Sequence, residues 1–219
     1  MRVGALILCY GTTDFLHLVI KQYKWLDRVL VMNYLFKESD PFPDNTPEIC
    51  RIFGADVISG SGIDQGTLLN MGLDAMKDFD AVFIADADEL ITKADQLKLI
   101  EQIEKGHEIV SCPLVDYAGG MEHEYDKRTH CPVVICKPTA RFYEVRNTQG
   151  GAYRCMDATV HHLGFLFSDE KNAWKQKKQL KTNGGQFGDL LCRGRHKIEA
   201  PREIKEAYES MFSDNSSLD

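Results

Sequence analysis

No apolar stretch in this chain approaches the ~20 residues that a membrane-spanning helix needs; the longest, such as Val3 to Cys9, fall far short. Arg2 and the short run behind it lead to no small-residue cleavage site, so that run reads as a buried first strand and not as a signal peptide. No CxxC pair occurs among Cys9, Cys50, Cys112, Cys131, Cys136, Cys155 and Cys192. Their odd number and scatter indicate neither a disulfide framework nor a zinc site. His130, Cys131 and Cys136 lie close together, but at a spacing that matches no common zinc pattern. Reduced thiols of a cytoplasmic protein are the expectation. Positive charge is not in excess either. A formal net charge of −7 argues against general, sequence-independent binding to nucleic acid, which relies on phosphate neutralisation. Internal repeats, long linkers and low-complexity tracts are absent, so 1–219 is expected to be a single domain.

What is present is an ordinary globular composition, 43% hydrophobic and 27% charged, able to bury a core. Up to Leu90 two kinds of segment alternate. Val3–Cys9 is a continuous β-rich run, as for a strand covered on both faces. Thr12 or Thr13 offers a helix N-cap, with Asp14 in the first turn. Phe15, Leu18, Val19, Tyr23 and Leu26 follow at helical spacing. Arg28–Tyr34 reads as a second strand, and Leu35–Asn45 as a polar loop. Thr46-Pro47-Glu48 is a helix start with proline at its first position. Asp56–Ser59 is a short third strand. Gly60–Gly66 is a glycine-rich loop opening a helix that buries Leu68, Leu69, Met71, Leu73, Ala75 and Met76. Ala81–Ala85 is a fourth strand. Strands alternating with helices imply an α/β fold with a mostly parallel sheet and right-handed crossovers.

After Lys93 the rhythm changes. Ala94–Lys105 is helical, Glu108–Leu114 a strand, and Asp116–His130 polar and loop-like. Pro132–Lys137, Ala140–Val145 and Ala158–His162 read as short strands. Ser168 or Asp169 caps a basic helix through Leu180, carrying Lys171, Lys175, Lys177, Lys178 and, just beyond it, Lys181. A helix over Pro201–Phe212 precedes a frayed tail, Ser213–Asp219.

The chemistry gathers where the fourth strand ends, at Asp86-Ala87-Asp88-Glu89-Leu90. Ligands of open α/β sheets bind at the carboxyl ends of the strands. Side chains two apart on a strand point the same way, so Asp86 and Asp88 can face one ligand. Two crowded carboxylates repel unless a cation lies beside them, and Mg²⁺ or Mn²⁺ suits oxygen ligands and can bridge to a diphosphate. An acidic turn is the plain alternative. A hydrophobic strand running directly into three acids favours the metal.

With these residues in place the chain resembles the GT-A fold of glycosyltransferases, especially family-2-like enzymes. The pattern covers Val3–Leu90, with a thinner echo to about Lys181. Tyr10-Gly11-Thr12 sits where that family's first strand opens toward the nucleotide. The helix around Asn70 is similar to the one bordering its donor site. Asp86-Ala87-Asp88 matches its metal motif, Glu89 the acid that close relatives carry after it, and His161-His162 its C-terminal histidine. The resemblance implies a nucleotide-binding half over 1–93 and an acceptor half over 94–200. It also implies Mn²⁺ or Mg²⁺ as cofactor, a nucleoside-diphosphate sugar (a UDP-sugar favoured) as donor, and inversion at the transferred carbon. Adjacent strand residues face opposite ways, so one of His161 and His162 should reach the metal, with His161 slightly favoured. Asp157, after Gly150-Gly151, is the candidate base. The family's Glu-Asp pair is missing because Met156 precedes it, so Glu89 and Glu122 stay open as alternatives. Tyr10, Asn33, Gln65, Asn70 and Asp86 are candidates to contact the nucleotide, and Lys175, Lys177, Lys178 and Lys181 either form a solvated face or offset diphosphate charge.

The acceptor is open: a glycan, a small molecule or a nucleic-acid base, the last suggested by Arg141, Arg146 and Arg154 interleaved with Phe142, Tyr143 and Tyr153. Rival functions are a catalytically silent nucleotide-sugar binding module, a nucleotidyltransferase, and a haloacid-dehalogenase-like phosphatase. The phosphatase motif usually lies on the first strand, whereas this one lies on the fourth.

Overall fold

Val3–Cys9 forms the first strand, β1, buried along its whole length. A strand covered on both faces must be apolar at every position, and alternate residues then divide between two cores. Ala5, Ile7 and Cys9 enter one core, Leu6 and Leu8 the other. The computed structural model describes residues 1–9, 14–35, 44–61, 63–118, 123–125, 131–144, 146–165, 195–197 and 200–213.

Strands β2 (Arg28–Leu35), β3 (Asp56–Ser61) and β4 (Ala81–Asp86) join β1 in parallel, β1 lying between β2 and β4. Helices α1 (Leu16–Tyr23), α2 (Thr46–Phe53) and α3 (Gln65–Asp74) connect them. Residues of α1 and α2, together with those of α4 (Lys93–Glu104) and α5 (Arg202–Ser213), fill the first core; α3 covers the second. The remaining strands are β5 (Glu89–Leu90), β6 (Ile109–Ser111), β7 (Leu114–Ala118), β8 (His123–Tyr125), β9 (Val133–Cys136), β10 (Phe142–Glu144), β11 (Asn147–Thr148), β12 (Tyr153–Arg154), β13 (Val160–Phe165) and β14 (Arg195–Lys197). Among the described residues the main sheet has the order β12-β6-β9-β4-β1-β2-β3, and a second sheet the order β14-β8-β7-β13-β5. Only β9 runs against its neighbours in the main sheet, pairing antiparallel with β4 and β6. The architecture is therefore the expected α/β one, a mostly parallel sheet with helices on both faces. Among the described residues no helix is long and apolar enough to cross a membrane.

Several element boundaries differ from those expected. Helix α1 starts at Leu16 behind Phe15, which offers no side-chain cap, and the expected caps Thr12 and Thr13 lie outside the described residues. The Phe15 carbonyl accepts from the Leu18 and Val19 amides instead. Strand β3 runs on through Gly60 and Ser61, which shortens the glycine-rich loop. Asp64 then caps α3 by accepting from the Thr67 amide at 2.9 Å. Met71 and Ala75 lie on the outer side of α3, off the stripe made by Leu68, Leu69, Leu73 and Met76. The strand expected over Glu108–Leu114 is two strands in different sheets. Pro113 has no amide to give a ladder, and the chain changes sheet there. The supposed loop Asp116–His130 contributes to β7 and supplies β8. The basic helix through Leu180 and the tail 214–219 lie outside the described residues.

Close contact between α3 and β1 rests on Gly72. A Cβ there would run into the side chain of Leu6, which is fully buried. Gly72→Val is expected to cost about 1–3 kcal/mol by overpacking, read as a lower urea midpoint with an unchanged slope.

Candidate active site

The register places Leu8 opposite Asp86, Cys9 opposite Asn33, and Asn33 opposite Ser59. The carboxyl ends of β1 to β4 thus form one continuous edge, and the acidic turn projects from its centre. The Ala87 amide donates to the Leu8 carbonyl at 2.9 Å, tying the turn to β1. Immediately after it, β5 pairs antiparallel with β13, His162 opposite Glu89 and His161 opposite Leu90. Two sheets meet at this turn.

Two charged clusters result. The first joins Asp86, Glu89 and Arg146. Arg146 Nη2 donates to Glu89 Oε2 at 2.6 Å and lies 3.0 Å from Asp86 Oδ1. Glu89 Oε2 also accepts from the Asp86 amide at 3.1 Å. Both members of the Arg146–Glu89 pair are buried, whereas the Asp86 side chain is 32% exposed. Burial pushes Glu89 up to about 7, against the pull of Arg146. Burial also opposes the charge on Arg146, but Asp86 and Glu89 outweigh it and hold the guanidinium firmly protonated. Arg146 Nε and Nη1 are buried without hydrogen-bond partners among the described residues.

The second cluster joins Asp88, His162 and Asp116. His162 and Asp116 are register partners in the parallel β7–β13 ladder. The imidazole Nδ1 hydrogen-bonds Asp116 Oδ1 at 2.5 Å, and its Nε2 lies 3.5 Å from Asp88 Oδ2. Asp88 and Asp116 are buried. Burial opposes an imidazolium here, yet Asp88 and the hydrogen bond to Asp116 prevail and push His162 up to about 10. The Leu163 amide donates to the Asp88 carbonyl at 2.8 Å. Gly164 permits the approach, since a Cβ there would sit against the His162 ring and 2.8 Å from Asp88 Oδ2.

Among the described residues no three His, Cys, Asp or Glu side chains gather as a complete metal cage. Two of them, Asp88 and His162, present an oxygen and a nitrogen at 3.5 Å. Two ligands on one small cation with bonds near 2.1 Å stand about 3.0–3.4 Å apart, so this pair fits one ion with slight closure. A cation that keeps its remaining positions for water and substrate phosphates is held by one or two protein ligands, which is the set found here.

It is His162, not the favoured His161, that lies beside Asp88. His161 points the other way, where Nδ1 shares a 2.7 Å hydrogen bond with Tyr117 Oη and burial pushes it down to about 4. Asn70 is engaged structurally: its amide donates to the Phe142 carbonyl and accepts from the Phe142 amide, fastening α3 to β10. Asn33 is buried at the β2 end, donating to Asp44 Oδ2 at 2.8 Å, while its Oδ1 has no partner. Gln65 opens α3, half-buried. Asp157 is exposed; its carbonyl accepts from Lys98. It lies in the connection between β12 and β13. Glu89 lies at the acidic turn, but Arg146 and the Asp86 amide occupy it. Tyr10, Gly11, Thr12 and Glu122 lie outside the described residues, as do Lys175, Lys177, Lys178 and Lys181. The arginines expected to line a nucleic-acid groove are dispersed. Arg146 is buried among carboxylates, and Arg141 is bound to Asp74 and to the Pro138 and Ala140 carbonyls. Arg146 and Asp116 are the members of the site that the motif pattern did not single out.

No protein-family model and no curated protein sequence matches the chain. Solved structures do. Glucosyl-3-phosphoglycerate synthase from Mycobacterium tuberculosis, in complex with Mn²⁺, uridine diphosphate and glucosyl-3-phosphoglycerate, aligns with a TM-score of 0.50 at 14% identity, over 92% of this chain and 88% of that one. TarS from S. aureus aligns with a TM-score of 0.49 at 14% identity, over 74% of this chain and 36% of TarS; the chain thus spans about a third of that protein. A cytidylyltransferase from Leptospira borgpetersenii aligns with a TM-score of 0.43 at 18% identity, over 64% of this chain and 61% of that one. At such identities the likeness defines the fold, an α/β architecture of the GT-A type.

Proposed function

We propose that this chain is a metal-dependent glycosyltransferase that moves a sugar from a nucleoside-diphosphate donor, a UDP-sugar above all, to an acceptor hydroxyl with inversion. One observation carries the proposal: Asp88 Oδ2 and His162 Nε2 converge to 3.5 Å at the carboxyl end of the central strand of a GT-A-type sheet. Ligands of open α/β sheets bind at that edge. The Mn²⁺- and UDP-bearing neighbour supports the choice of cofactor and nucleotide. Asp88 and His162 hold Mn²⁺ or Mg²⁺, which when bound supplies Lewis-acid stabilisation to the departing diphosphate. Asp86, beside Arg146 and partly exposed, is the acid left to meet the donor's ribose. Asn33 Oδ1 has lone pairs to accept a hydrogen bond from base or ribose, and Gln65 opens α3. The acceptor proton goes to Asp157 or Glu122, because Glu89 is taken up by Arg146.

A silent nucleotide-sugar binding module is the second function to weigh. The missing Glu-Asp pair at Asp157 and the engagement of Glu89 by Arg146 favour it. Both functions require donor binding, which thermal unfolding with UDP, GDP, CDP and dTDP tests, each with Mn²⁺ and again with EDTA. A ligand at ~100 times its dissociation constant stabilises by about 2.7 kcal/mol, a rise of about 5–10 °C for a chain of this size. The expected result is a rise with UDP and Mn²⁺ that EDTA removes. No shift with any of the four would sink both functions; a shift without sugar transfer to any acceptor would leave the binding module.

A further inference from the structure

We infer that Asp116 is a positioning residue that fixes His162 for metal binding; this rests on the metal site proposed above. Adjacent residues of β13 face opposite sides, and each histidine meets a different partner from β7: His161 meets Tyr117, and His162 meets Asp116. The register sets this, because His162 and Asp116 stand side by side in a parallel ladder. Asp116 accepts a hydrogen bond from Nδ1, so Nε2 is the ring nitrogen turned to Asp88, the one a metal would take once its proton is displaced. The hydrogen bond also fixes the plane of the ring, which Gly164 allows to lie against Asp88. A metal-bound histidine regularly gives its second ring N–H to a carboxylate, which selects the tautomer and makes the ligating nitrogen more basic. Asp116 is 5% exposed, and a carboxylate that deep is retained only where its partner is worth the desolvation.

The test compares wild type, Asp116→Asn and Asp116→Ala. Mn²⁺ is titrated calorimetrically in the presence of UDP, and ¹⁵N-histidine spectra are recorded without metal. Loss of such a partner weakens metal affinity about 10–100-fold. That loss is expected for Asp116→Ala and a smaller one for Asp116→Asn, whose amide oxygen still accepts a hydrogen bond. UDP affinity in EDTA should not change. The His162 Nδ1–H should be sharp and slow to exchange with solvent in wild type and broadened by exchange in Asp116→Ala. If Asp116→Ala does not fold, Asp116→Asn carries both comparisons. Mn²⁺ affinities within about twofold of wild type in the variants that fold would overturn the inference. Wild type that binds no Mn²⁺ overturns the metal reading instead, and the Nδ1–H exchange then judges Asp116 by itself.

Discussion

Asp88→Ala is expected to abolish the Mn²⁺-linked part of the UDP stabilisation and to lower glycosyl transfer about a thousandfold. Asp88 is 6% exposed, and its backbone is fixed from the far side by the Leu163 amide, so no neighbouring side chain can take its place by a small shift. Without its carboxylate, His162 is the one remaining protein ligand of the pair. Metal stabilisation of a leaving group contributes several kcal/mol, and about 4 kcal/mol is a thousandfold in rate. The measurement is kcat/KM with the donor that thermal unfolding identifies, together with a Mn²⁺ titration of the variant. A variant keeping more than a tenth of wild-type activity would remove Asp88 from the metal site. Removing Asp88 also takes from His162 one of the two carboxylates that favour its charge, so the metal-free melting temperature of the variant is measured beside its activity.

Arg146→Met is the second large effect, and it falls on stability. The guanidinium is the positive group lying between Asp86 and Glu89, and its pair with Glu89 is fully enclosed, at 6% and 4% side-chain exposure. Removing one member of a buried ion pair typically costs about 3–5 kcal/mol, because the other charge stays behind without compensation. For this chain length that is a fall of about 6–20 °C in melting temperature. The double variant Arg146→Met with Glu89→Gln should recover part of the loss, since the amide removes the stranded charge. A double variant no more stable than Arg146→Met would mean that the arginine acts through packing of its stem and not through Glu89.

The parallel half of the fold is legible in the sequence because buried strands are apolar at every position. Val3–Cys9 and Ala81–Ala85 announce themselves, and the helices between them carry a one-sided stripe. Of the second sheet only β13 is legible, as the expected strand over Ala158–His162. Its other strands are short and carry Asp116, His123 and Glu124, and β13 meets β7 from far along the chain, so no local periodicity marks the sheet. The site divides the same way. Asp86 and Asp88 are readable as acids that follow a buried apolar strand, but β4 ends at Asp86, and the turn sends Asp86 to Arg146 and Asp88 to His162 instead of to one shared face. The choice between His161 and His162 turns on which face of β13 meets β5, and that is a matter of register between strands far apart in sequence. Arg146 left one signal unread: three acids after a buried strand need a cation from the chain as well as from solution. In sequence that cation stands among other arginines and aromatics, and only the fold separates it from Arg141 and Arg154.

Glu89 meets Arg146 across 57 residues, and Asp116 meets His162 across 46. A chain leaves the ribosome N-terminus first, at about 5–20 residues per second. The acidic turn is therefore made seconds before its arginine and histidine, and neither of its charged clusters can close until the chain has passed β13 and come back to β5.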